Sequence, residues 1–234
     1  MQSVSKKKME QNHQCKFCNK KFHKDITLAT HMCVKKRRYA DLGSSGPRFG
    51  FRVFQRFFEL TTKNKTPKTQ EEFIDSPYYI AFVKFGHHLV SLKPLHMDQF
   101  IDSVIKGGVA LKDWTKDVIY YTFIEDLLKK EPAISATERT ITTIMAWSED
   151  NREEFIKFFS VVSVNEAAYM IKTGKISPWV LYLCLSGGEL MCRFNEEHGN
   201  IIGNIIDAGF WMKKFKQNSD DVEYIKNLLE QAGL

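Results

Sequence analysis

The stretch CKFCNKKFHKDITLATHMC, residues 15–33, holds three of the chain's five cysteines and two of its seven histidines. Cys15 and Cys18 are two residues apart, which suits a tight turn. His31 follows after a gap of twelve residues, and Cys33 comes two positions later. Sulfur and imidazole donors at such spacing suit a tetrahedral metal ion, whereas five cysteines is an odd number for a disulfide framework. Two positions along an α-helix is a rotation of about 200°. His31 and Cys33 therefore reach one ion only if a helix ends near His31 and the chain turns there.

Two apolar residues sit between the donors: Phe22, four positions after Cys18, and Leu28, three before His31. This register of Cys15, Cys18, Phe22, Leu28 and His31 resembles a Cys2His2 or Cys2HisCys zinc finger, over about 20 of the 234 residues. The resemblance implies a small ββα unit folded around Zn2+. The metal supplies most of its folding energy, because so short a segment has little core. The family's second helical His is missing. Cys33 is the first choice for the fourth ligand, with His13 and His23 in reserve, and a finger that has lost its metal is the alternative. The family's DNA-reading positions fall on Lys24, Thr27 and Thr30. Lys24 suits guanine or phosphate, and the two threonines are permissive readers. One finger covers about 3 bp, and no tandem-finger linker follows, so site-specific reading is not expected.

Charge is unevenly distributed. Through Arg56, fourteen Lys and Arg face three acidic residues, a balance of +11, which leaves −5 for the remainder of a chain whose total is +6. Lys16, Lys20, Lys21, Lys24, Lys35, Lys36, Arg37 and Arg38 surround the finger. If they neutralise about six phosphates, affinity falls roughly a thousandfold between 50 and 200 mM salt. Phe17 and Tyr39 offer stacking on unpaired bases. The expectation is a module that grips DNA or RNA with little sequence preference. The alternative is an interaction or assembly protein whose finger docks a protein partner.

The pattern along the chain predicts a mainly α fold, with the finger ahead of a helical domain. Residues 1–14 read as a disordered basic tail and 15–38 as the finger with its basic extension. Residues 39–68 read as a linker carrying an amphipathic helix. On that helix Phe51, Phe54 and Phe58 form one stripe and Arg48, Arg52 and Arg56 another, the latter suited to phosphates. Gly50 weakens the helix by about 1 kcal/mol. Residues 69–234 read as an α-helical body. There Met97, Phe100, Ile101, Val104 and Ile105 share a face, Trp114, Val118, Tyr121 and Ile124 fall in register, and Ser163 with Glu166 forms a capping box. PWVLYLCLSGGELMCRF, residues 178–194, reads as a buried helix, with two strands around Gly187 and Gly188 as the competing reading.

No apolar run reaches the roughly 18 residues a membrane span needs, and Lys6, Lys7 and Lys8 are followed by no apolar stretch. The expectation is an intracellular protein of cytoplasm, nucleoid or nucleus, neither secreted nor membrane-bound. Phosphate-binding glycine loops, nucleophile elbows and zinc-protease motifs are missing. His87, His88, His96, Glu196, Glu197 and His198 are the polar groups that invite a catalytic reading, but neighbours on a helix point in different directions, so exposed or capping roles are expected. Cys184 and Cys192 read as buried small hydrophobes, and Glu189 as a buried acid or a turn marker. The sequence carries no mark of oligomeric state.

Overall fold

The structure is a computed structural model and describes residues 13–63 and 66–234. Of the expected tail, residues 1–12 lie outside the described residues. His13 and Gln14, expected within it, form a strand instead. Among the described residues the fold is mainly α: fifteen α-helices and one two-stranded sheet. The chain divides into two compact units, one running through Lys93 and including 104–115, the other comprising 94–103 and 116–234.

The first unit opens with β1 (His13–Gln14) paired antiparallel to β2 (Lys21–Phe22), His13 opposite Phe22. Pairing these strands closes the turn that carries Cys15 and Cys18. Helices α1 (Asp25–Thr30), α2 (Val34–Asp41), α3 (Ser45–Thr61), α4 (Gln70–Asp75) and α5 (Tyr79–Leu92) follow. The basic run VKKRRYAD, expected as an extension of the finger leading into a linker, is α2, and α3 fills most of the remaining linker. Residues 69–93 belong to this first unit, so the expected border at 68/69 does not coincide with the border between the units.

Helices α3 and α5 pack backbone against backbone. A Cβ on Gly86 would lie 2.1 Å from the Gly46 carbonyl oxygen, and one on Gly50 would lie 2.8 Å from that of Phe82. Gly50, a weak point in the sequence pattern, is thus the residue that lets the helices meet. Around this contact Phe54 touches Phe58, Phe73 and Phe82, and Trp114 touches Phe57, Phe82 and Phe85. Such ring pairs at 4.5–7 Å each add about 0.5–1.5 kcal/mol beyond burial. Helix α4 begins at a capping box in which the Thr69 hydroxyl accepts from the Glu72 N–H and the Glu72 carboxylate accepts from the Thr69 N–H.

Helix α6 (Met97–Lys106) carries the border at residue 103/104. The second unit continues with α7 (Asp117–Lys130), α8 (Ala133–Asn151), α9 (Phe158–Val161), α10 (Val164–Lys172), α11 (Pro178–Leu183), α12 (Leu185–Cys192), α13 (Glu196–Ile202), α14 (Ala208–Gln217) and α15 (Ser219–Ala232). Helices α8, α11 and α15 pack together as its centre. On α7 the buried residues are Tyr120, Ile124 and Leu128, whereas Val118 is exposed and Trp114 precedes the helix, so the expected register is shifted. Asp117 starts the helix, and residues 111–113 form a separate 3-10 turn. The Glu131 carboxylate accepts two bonds from Arg139 at 2.5 and 2.7 Å, and Arg139 also donates to the Gly174 carbonyl at 2.7 Å. Glu131 is buried and Arg139 half-buried, and the bonding capacity of the pair is largely met, the condition under which such a pair is tolerated.

Residues 178–192 are helical, with no strand, but broken in two. The Cys184 sulfur accepts the Gly187 N–H at 3.1 Å and so starts α12. A methyl group at Gly86 forces α3 from α5, and overpacking of this kind costs about 1–3 kcal/mol. Thermal unfolding of Gly86→Ala should therefore show a lowered midpoint. Gly188→Ala, in open space inside α12, should raise it, by up to about 1 kcal/mol of helix propensity.

Candidate metal centre

The first two ligands come from a turn the backbone closes on itself. The Cys15 N–H donates to the Lys20 carbonyl at 2.9 Å, and the Asn19 N–H to the Cys15 carbonyl at 2.8 Å. Asn19 takes a left-handed conformation, φ 58°, which Asn tolerates better than most residues. Cys15 is buried, 3% exposed, and Cys18 is half-buried.

The other two come from a break between helices. Helix α1 stops at Thr30, and His31 is extended, φ −68° and ψ 123°. The Thr30 hydroxyl donates to the Ile26 carbonyl at 3.0 Å, and the His31 N–H donates to the Leu28 carbonyl at 3.1 Å, a tightened last turn in place of a continued helix. Cys33, also extended, is the N-cap of α2, its sulfur accepting the Lys36 N–H at 3.4 Å. The imidazole of His31 rests against the Phe22 ring at 4.7 Å, and the Lys36 ammonium donates to the His31 carbonyl at 3.2 Å.

The ligand atoms of Cys15, Cys18, His31 and Cys33 all lie within 4.8 Å of one another, and Cys18 Sγ is 3.2 Å from His31 Nε2. Metal–donor bonds of about 2.0–2.3 Å in a tetrahedron put donors about 3.3–3.8 Å apart, so closure needs shifts on the order of 1 Å. None of the four sits in a disulfide. The Phe17 N–H holds the Cys15 thiol below its ordinary value. At Cys18 the Lys20 N–H pulls downward, but burial and the Cys15 and Cys33 sulfurs outweigh it and raise the thiol. Three crowded sulfurs with amide donors aimed at them have the chemistry to hold a cation that neutralises them. The group can hold a metal ion. His13 instead faces Asp25 at 3.6 Å and His23 is exposed; neither joins the cluster.

The expected nucleic-acid residues divide. Lys16, Lys20, Lys21, Lys24, Thr27, Thr30 and Arg37 are exposed. Lys35, Lys36 and Arg38 turn inward. Lys35 pairs with Asp75 at 2.7 Å, and Arg38 donates to the Ile74 carbonyl at 2.6 Å with its guanidinium 4.3 Å above the Tyr79 ring. The attraction is physical: α4 ends at Asp75, so its free carbonyls and that carboxylate present a negative helix end. On α3, Arg48 and Arg52 are exposed, while Arg56 is half-buried and pairs with Glu59 at 2.9 Å. Partners such as Ile74, Asp75 and Tyr79 lie some 40 residues away in sequence, where no spacing rule reaches.

His198 accepts the Asn195 N–H at Nδ1, and its Nε2 lies 2.8 Å from the Asn165 side-chain oxygen, so the ring caps α13. Glu189, Glu196 and Glu197 are exposed. Cys184 is buried, and burial pushes its thiol up, but Cys192 is exposed, against the sequence expectation. Among the described residues no helix is long and apolar enough to cross a membrane. The chain matches no family model, no curated protein and no solved structure.

Metal analysis of the purified chain should find one divalent ion per molecule. Cys33→Ala should weaken its binding by more than the roughly 10–100-fold that outer-shell changes cost. Cys192→Ala should leave binding unchanged.

Proposed function

We propose that the N-terminal unit is a zinc-dependent module that grips nucleic acid, DNA or RNA, with little sequence preference. The single observation that carries this reading is the clustered Cys3His donor set with exposed Lys16, Lys20, Lys21, Lys24 and Arg37 around it. Three thiolates and an imidazole favour zinc over harder cations such as magnesium or calcium. Helix α1 carries only six residues, and the Thr30 hydroxyl is engaged with its own helix. Both points favour backbone gripping over base-pair reading.

The inward turn of Lys35, Lys36 and Arg38 lowers the expected phosphate count from six to about four or five. Binding of the zinc-loaded chain to a fluorescent oligonucleotide should then weaken by about a hundredfold between 50 and 200 mM salt. Chelation should abolish it. Affinity insensitive to both salt and chelator would count against the reading.

A second reading has its own observation. Ile26, Met32 and Val34 are apolar and exposed on or beside the finger's helices, which suits a protein partner. Purification with nuclease separates the two: a stoichiometric protein that stays bound supports docking, and nucleic acid lost at high salt supports gripping.

A further inference from the structure

The finger, α2 and α4 line an open cleft of about 440 Å³ with aromatic, basic, acidic and aliphatic side chains. Phe17 and Tyr39 form one wall, their rings 5.4 Å apart and tilted by 52°. Tyr39 is 48% exposed, so its ring is available and not part of the core. The Lys16 ammonium sits 5.2 Å from the Phe17 ring, with no ion-pair partner among the described residues. The lining also includes Glu71, in the first turn of α4, and Asp75, already paired with Lys35. Buried Ile74 gives the cleft an apolar floor.

We propose that this cleft holds one unpaired nucleobase of a single strand, guanine best of the four. The inference rests on the nucleic-acid reading above and names its substrate class. Carboxylates repel phosphates, so a duplex backbone does not suit the cleft. An unpaired base is neutral and brings a flat face to the aromatic wall and a polar edge to Glu71. In a duplex that edge is consumed by pairing. A carboxylate accepts two adjacent donors at once. Guanine offers such a pair, its ring N–H and amino group, whereas adenine, cytosine and thymine or uracil each offer one donor group. Lys16 at the rim meets the flanking phosphate, and Lys35 holds Asp75 out of competition with Glu71.

The test is fluorescence anisotropy of the full zinc-loaded chain with four probes. These are oligothymidylate, the same strand with one central guanine, its RNA counterpart and a duplex of equal length. The guanine-bearing strands should bind tightest, in either sugar. Tyr39→Ala should weaken single-strand binding about tenfold, within the range that loss of one base–aromatic stack gives, and leave duplex binding and metal content unchanged. Tyr39→Phe should restore it, and Glu71→Gln should remove the preference for guanine. Equal, salt-dependent binding of duplex and single strand would overturn the cleft and leave the gripping function standing. Binding to no nucleic acid would overturn both. A polylysine probe bound in a Tyr39- and Glu71-dependent way would overturn the base site in favour of a basic peptide.

Discussion

The N-terminal unit depends on a break of three residues between two helices. His31 and Cys33 share a site only because α1 stops at Thr30 and α2 starts after Cys33. Within one continuous helix they would face away from each other, about 200° apart. The break has local causes on both sides. The His31 N–H turns to the Leu28 carbonyl, and the Cys33 sulfur does the work usually given to a capping oxygen. Cys33 therefore belongs to the ligand cluster and to the start of α2 at once.

That dual role couples the cluster to the helices beside it. Helix α2 carries Lys35 and Arg38 to the negative end of α4, and Arg38 lies over Tyr79 at the start of α5. Helix α5 is in turn fixed to α3 through the glycine contact. A cation in the cluster neutralises three crowded sulfurs and so favours the geometry from which α2 departs. Lys35, Lys36 and Arg38 thereby act as internal adhesive, while Lys16, Lys20, Lys21, Lys24 and Arg37 stay outward.

Much of this was legible in the sequence, and the gaps have physical reasons. Donor spacing and the Phe22 and Leu28 positions single out the residues that cluster, because a metal site of this size is local in sequence. The helical character of the body follows from its periodicity, and the Ser163 cap from its local pattern. Helix α2 was hidden because its cap is a thiol, outside the usual set of capping side chains. The same substitution at Cys184 hid the split between α11 and α12. Gly50 reads as a weakness until Gly86 of α5 is seen across from it. The inward turn of Lys35 and Arg38 depends on contacts across 40 and 36 residues, which no local pattern encodes.

The most direct test of the account is X-ray absorption at the zinc edge of the metal-loaded chain. The account predicts three sulfur neighbours at about 2.3 Å and one nitrogen at about 2.0 Å, falling to two sulfurs in Cys33→Ala. Two sulfurs and two nitrogens in the unaltered chain, or a shell indifferent to Cys33→Ala, would contradict it.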